Sequence, residues 1–209
     1  MTADATFWNN IADTYAAKPV DNPDAFERKI AITKALMKPS DVVLDIGCGT
    51  GSLALILAEH GAQLHGLDLS SEMVRIARRK AEAAGATNVT FHEGEFAEGI
   101  PFEDGSLDGL LAFSLLHLVE DRRDALARIH RLIKPGGYFV SSTVCLGDTW
   151  VPYAPILALM RWVGKAPMVK VLPRTALLQE MQDAGFEQIE QKEVGASSTT
   201  AFVVARKPR

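Results

Sequence analysis

Cysteine is nearly missing from this chain: 209 residues hold two, Cys48 and Cys145. They lie far apart, and Cys48 falls inside a glycine-spaced stretch ill suited to a crosslink. A disulfide scaffold is therefore excluded, and both are expected to be reduced thiols of a cytoplasmic protein. Cys-His zinc spacing is absent, and His60, His65 and His130 show no ligand spacing among themselves, so no metal is expected. A surplus of positive charge is missing too. The 22 Lys and Arg against 26 Asp and Glu leave a net charge of −4, which argues against a general nucleic-acid binder. No apolar run is long enough to cross a bilayer. Met1-Thr2-Ala3-Asp4 lacks the basic start and apolar core of a secretion signal. Repeats and low-complexity tracts are absent as well.

What is present is alternation. Short apolar runs take turns with helical patterns, the signature of βαβ units and a parallel sheet. Strands are predicted at Val42–Ile46, Gln63–Leu69, Val89–Phe91, Leu107–Ser114 and Tyr138–Thr143. Helices are predicted at Gly51–Glu59, from Ser70 to a stop at Gly85, at Asp121–Ile133 and at Arg174–Ala184. Ser70 is read as the cap of its helix, and Pro135-Gly136-Gly137 as the turn into the fifth strand. Phe186–Glu193 and Thr200–Arg206 read as a closing antiparallel pair. Two helices, Asp4–Ala17 and Asp24–Met37, precede the first strand. The expected fold is a single α/β domain over residues 1–209: a Rossmann-like three-layer sandwich on a seven-stranded, mostly parallel sheet with an antiparallel last strand. Residues 1–38 form an N-terminal helical cap and 148–173 a helical lid. Monomer and homodimer are both compatible with this reading.

The densest information lies in Val43-Leu44-Asp45-Ile46-Gly47-Cys48-Gly49-Thr50-Gly51. A buried strand ends in an acid and breaks into a glycine turn that opens a helix. Glycine lets backbone approach a ligand because no Cβ intervenes, and a helix start presents N–H groups. The spacing Gly47-x-Gly49-x-Gly51 is not the G-x-G-x-x-G of dinucleotide enzymes. Asp45 at its mouth would repel a pyrophosphate and suits a ligand bearing an ammonium group. Asp68, about 20 residues beyond the glycines, stands where a carboxylate grips a ribose diol. Two carboxylates and no phosphate site point to a ribonucleoside such as S-adenosylmethionine (SAM).

These residues resemble a known family. Asp45-Ile46-Gly47-Cys48-Gly49-Thr50-Gly51 is similar to the first motif of class I SAM-dependent methyltransferases, and Gly66-Leu67-Asp68-Leu69-Ser70-Ser71-Glu72-Met73 to their second acidic motif. Leu107-Asp108-Gly109-Leu110-Leu111-Ala112-Phe113 and Leu132-Ile133-Lys134-Pro135-Gly136-Gly137 resemble later motifs. The likeness spans roughly residues 40–145 and is nearest the small-molecule branch that includes ubiquinone and menaquinone methyltransferases. It implies SAM as methyl donor and S-adenosylhomocysteine (SAH) as product. It further implies that Gly47, Cys48 and Gly49 line the methionine moiety through backbone, with Gly51 permitting close approach. Asp68 would hold the ribose hydroxyls, Leu69 and Met73 would flank the adenine, and Glu95-Phe96 would lie beside its amino group. Glu95 stands where the family often has Asp. Phe113 would lie near the methionine moiety.

Methyl transfer from a sulfonium asks the protein chiefly to position a nucleophile and exclude water. A base is needed only where the acceptor loses a proton. His117, after the fourth strand, is the candidate base, with packing as its rival role. Tyr15 could close over the cofactor. His92, alternating with Phe91, is expected to face solvent. Between Asp148 and Glu180 the chain carries no acid, but it does carry Arg161, Lys165, Lys170, Arg174, Trp150, Tyr153 and Trp162. Such a lid suits a small apolar or aromatic acceptor, and it is also compatible with peripheral contact at an anionic membrane. The function expected is methyl transfer to a small molecule. A non-catalytic SAM-binding protein and an NAD-dependent oxidoreductase are the competing readings.

Overall fold

The computed structural model describes residues 3–96 and 101–209. Two helices come first, α1 (Ala3–Ala17) and α2 (Pro23–Leu36). The alternating unit follows as β1 (Val42–Ile46), α3 (Ser52–Ala58), β2 (Gln63–Asp68), α4 (Ser71–Ala83) and β3 (Val89–Glu93). After it come β4 (Leu107–Phe113), α5 (Arg122–Leu132), β5 (Ile133–Val144), α6 (Tyr153–Trp162), α7 (Arg174–Asp183), β6 (Glu187–Gln191) and β7 (Thr200–Arg206). The seven strands form one sheet in the order β3-β2-β1-β4-β5-β7-β6. Neighbours from β3 to β5 run parallel, and β7 runs antiparallel to both β5 and β6. This is the Rossmann-like architecture expected from the alternation.

The helices start where local chemistry satisfies their free N–H groups. Asn22 accepts from the Ala25 N–H, Ser70 from Met73 and Asp121 from Asp124, each an N-cap. Each face of the sheet is covered. Leu44, Ile46, Leu110 and Phe139 meet Leu126, Ile129, Leu177 and Met181 of α5 and α7. Val43, Leu64, Leu111 and Val140 meet α2 and α3 on the other face, and Ala54, Val74, Ala77 and Phe91 join α3 to α4. Phe139 and Phe186 stack with centroids 5.3 Å apart.

Two boundaries differ from the sequence reading. Pro135-Gly136-Gly137 does not precede the fifth strand but lies within it. Leu107 pairs with Ile133 and Gly109 with Tyr138, so Lys134–Gly137 bulge out of the ladder. The Lys134 ammonium bonds the Asp108 carboxylate at 2.8 Å, and that same oxygen accepts the Val42 N–H at 2.9 Å. β3 also runs on to Glu93, because His92 pairs with Leu67. His92 does not simply face solvent: its Nε2 lies 3.2 Å from His65 Nδ1, and both rings meet Phe102 edge-on.

The strand order reverses between β1 and β4. In open α/β sheets the crevice beyond such a switch point is where ligands bind. Here the strand ends present Asp45–Gly51 on one side and Phe113–His117 on the other.

Candidate active site

The glycine turn is held by its own hydrogen bonds. Gly47 and Cys48 both donate to the Leu67 carbonyl, at 2.7 and 3.1 Å. Gly49 donates to Asp68 Oδ2 at 2.8 Å, and Gly51 to the Cys48 carbonyl at 3.0 Å. All three glycines sit at positive φ, the left-handed region that side chains avoid. From below, the Lys80 ammonium ties the loop through Thr50 Oγ1 and Ser52 Oγ at 2.9 and 3.0 Å. Four of the turn's N–H groups, those of Gly47, Cys48, Gly49 and Gly51, are thus used within the protein, and two carboxylates stand at its mouth. A phosphate-binding loop instead turns its donors toward the ligand.

Asp45 is 2% exposed. Its Oδ1 is buried with no hydrogen-bond partner among the described residues. Burial, and after it the neighbouring Asp68 charge, push its pKa up to about 8. A buried carboxyl in that position is short of a cation. Asp68 is also buried; its oxygens accept from Gly49 and Ser70 at 2.8 and 2.9 Å. Burial raises its pKa, and the N–H bonds from Ser70, Gly49 and Leu69 oppose the shift. The two acids end adjacent parallel strands, with Asp45 paired to Gly66 and Ile46 to Leu67.

Around them the expected residues divide. Tyr15, at the end of α1, stands over the turn, its Cε1 3.7 Å from where a Cβ on Gly49 would be. Partial burial, and then Asp68, raise its phenol pKa. Leu69, Glu95 and Phe96 are half-buried at the ends of β2 and β3, where Gly94 donates to the Asp68 carbonyl. The Arg128 guanidinium lies over the Phe96 ring at 5.3 Å. Phe113 ends β4 and meets Phe202 edge-on at 5.8 Å. His117 sits in a short 3-10 turn, Leu116–Leu118, with Nδ1 buried and without a partner among the described residues. Burial lowers its pKa to about 4, so the ring is neutral at physiological pH.

Three of the expected residues also serve the packing of the fold. Met73 packs with Ala12 and Ile76, against Trp8 and Ala16 of α1, and so supports the helix that carries Tyr15. At Gly51 the space a Cβ would take is filled by Phe91 Cζ, 2.5 Å away, and by Ala77. Glycine there answers a packing demand and its φ of +74°. Cys48 keeps its place in the turn, but its N–H already bonds Leu67. Its thiol is buried, and burial, then Asp45 and Asp68, raise its pKa well above the usual range, which makes it a poor nucleophile.

Sequence reasoning missed two positioning contacts. Asn9 Oδ1 of α1 takes the Ser70 hydroxyl at 2.6 Å and the Glu72 N–H at 3.2 Å, docking α1 on the start of α4. Lys29 Nζ of α2 bonds Ser142 Oγ at 2.9 Å, and Ser142 pairs with Phe113 across the strand ends. The partners lie 61 and 113 residues apart, beyond any local signal. Among the described residues no group of three or more His, Cys, Asp or Glu could hold a metal ion. No helix among them is long and apolar enough to cross a membrane.

A doubly wound sheet with two carboxylates at its switch point, beside a glycine turn that opens a helix, defines the class, a Rossmann-like α/β domain. The family model described as "Methyltransferase domain" matches residues 37–193; the chain belongs to that methyltransferase family. Among its relatives, a demethylmenaquinone methyltransferase of Thermus thermophilus is 41% identical over 116 residues, 54% of this chain and 51% of that protein. The O-methyltransferase cnsE of Penicillium expansum is 34% identical over 153 residues, 71% of this chain and 52% of that protein. The chain spans about half the length of these curated relatives. Among solved structures, phosphoethanolamine N-methyltransferase 2 of Haemonchus contortus, in complex with S-adenosyl-L-methionine, superposes with a TM-score of 0.74. It is 21% identical, and the match covers 88% of this chain and 53% of that one. At that identity the likeness speaks for the fold.

Proposed function

We propose that the chain transfers a methyl group from SAM to a small apolar or aromatic acceptor and releases SAH. The observation that carries the reading is Asp45, a buried carboxyl whose Oδ1 has no hydrogen-bond partner among the described residues, beside Asp68 at the switch point. Bound SAM would supply a methyl group already activated on a sulfonium. Asp45 would take the ammonium of its methionine moiety, a charge-assisted bond strengthened by burial. Asp68 would accept from the ribose hydroxyls while keeping its N–H bond from Gly49. Leu69, Glu95 and Phe96 would border the adenine, and Tyr15 would roof the turn. Phe113 and the lid would exclude water from the transfer. His117, neutral across physiological pH, would accept a hydrogen bond from an acceptor hydroxyl and receive its proton as the new bond forms.

A dinucleotide fits poorly, since two acids would face its pyrophosphate and four of the turn's N–H groups are already bonded within the protein. The relatives named for menaquinone and for O-methylation support a small-molecule acceptor. The reduced, buried Cys48 and Cys145 support a cytoplasmic setting. Calorimetry with SAM, SAH and NADH on the full chain tests the reading. SAM and SAH should bind and NADH should not; folded protein that binds neither SAM nor SAH would overturn it. SAM binding with no methylated product from any of a panel of quinols and phenols would favour a non-catalytic SAM-binding protein.

A further inference from the structure

The lid carries an apolar face that none of the described residues covers. α6 contains no buried residue, whereas α2, α3, α4, α5 and α7 all do. Ile156, Leu159, Met160 and Val163 recur at i, i+3, i+4 and i+7, one stripe of a helix, and all four are exposed. Trp150 and Trp162 flank the stripe at 93% and 82% exposure. Of the nine large hydrophobic side chains exposed among the described residues, seven lie between positions 150 and 171. A concentration of that kind marks an interaction site.

Charge decides the partner. The chain as a whole is acidic, yet residues 149–179 hold four Lys or Arg and no Asp or Glu. Arg174 is engaged with Asp148; Arg161, Lys165 and Lys170 form no ion pair among the described residues. The patch is also held in place. The extended segment returning from α6 bonds Asp4 of α1 through the Met168 N–H at 3.2 Å and the His117 carbonyl through the Lys170 N–H at 2.7 Å. It closes on Gly147, which donates to the Leu172 carbonyl at 2.9 Å. The patch therefore projects from the mouth of the crevice.

We propose that this surface docks on an anionic lipid bilayer. The apolar stripe enters the headgroup boundary, the tryptophans seat at its polar edge, and Arg161, Lys165 and Lys170 meet lipid phosphates. A two-fold pairing of the patch with a second copy would bring Arg161 and Lys165 toward their own equivalents, which charge opposes. Docking does not depend on the methyl-transfer reading. Taken with it, the bilayer is where an apolar acceptor dissolves, and the mouth opens toward it.

Co-sedimentation of the full chain with phosphatidylcholine vesicles, and with mixed phosphatidylcholine–phosphatidylglycerol vesicles, tests this. Binding to the mixed vesicles at low ionic strength, little binding to the neutral ones, and loss as salt rises are expected. The pair Arg161→Glu and Lys165→Glu should lower partitioning by about ten-fold or more, as should Leu159→Ser with Trp162→Ser. All four positions are exposed, so both variants should fold. Retained SAH binding by calorimetry checks this independently. Failure of the wild-type chain to bind anionic vesicles, or variants that bind as it does, overturns the proposal. So does a wild-type dimer, seen by light scattering, that both variants dissolve. Vesicle binding without SAH binding would leave docking standing and remove the methyl-donor reading alone.

Discussion

Asp45 is buried beside a second carboxylate, and that sets a pH dependence. Its carboxyl titrates near 3.8 when unfolded and near 8 in the fold. Between those values the folded chain holds a proton that the unfolded chain has released, so stability of the ligand-free protein falls as pH rises from about 4 to about 8. Asp45→Asn keeps the shape and removes the titration. Its melting temperature should exceed that of the wild type at pH 8 by several degrees, on the scale of a few kcal/mol, and the gap should close toward pH 4. SAH affinity should drop roughly ten- to a hundred-fold, the loss of one charge-assisted bond. Comparing the two chains also isolates Asp45 from His117, whose effect runs the other way. The lowered pKa of His117 means that its contribution is present above about pH 6.5 and is lost as pH falls toward 4. His117→Ala should lower kcat while leaving SAH affinity intact. The wild-type kcat profile should show no inflection near pH 6.5; one found there would show a ring that titrates in the working range.

At the scale of elements, the tightest constraint is the contact of β2 with β3 and the glycine turn. Gly66 lies in mid-strand, where a Cβ would come within 2.5 Å of Phe91 Cδ1 and 2.8 Å of Cys48 Sγ. Gly66→Ala should cost about 1–3 kcal/mol by overpacking. Adding Phe91→Leu should restore part of that, as a double-mutant cycle in denaturant would measure. Much at this scale is legible in the chain. β1 reads as a buried strand because Val42-Val43-Leu44 and Ile46 are apolar on both faces. α4 reads from Ser70, its cap, and from Met73, Val74, Ile76, Ala77 and Ala81 on one side. Asp45 stands out because it lies at the mouth of the glycine turn, and Asp68 because it follows that turn at the distance of a ribose-gripping carboxylate. What escapes is whatever depends on a distant partner. Pro135-Gly136-Gly137 has the chemistry of a turn, and only the Leu107–Ile133 pairing makes it a bulge. Met73 reads as a ligand contact, and its packing against α1 shows only once that helix is placed. Phe91, by filling the space beside Gly51 and Gly66, makes those glycines matter for packing, which spacing alone cannot reveal.

Across the whole molecule, two kinds of surface divide the charge. The acids are spread over the chain, while residues 149–179 hold none, so a negative body carries a positive, apolar tip. α1 links that tip to the cofactor crevice. It docks on α4 through Asn9, reaches the lid through Asp4 and places Tyr15 over Gly49. Every one of these partners lies downstream of it. During synthesis α1 leaves the ribosome before anything it will pack against, and its contact with Met168 closes a loop spanning 164 positions. Non-local closures come late in folding. The strands, their acids and the glycine turn can therefore assemble first as an open crevice, and α1, made before all of these partners, is among the last to settle as its roof.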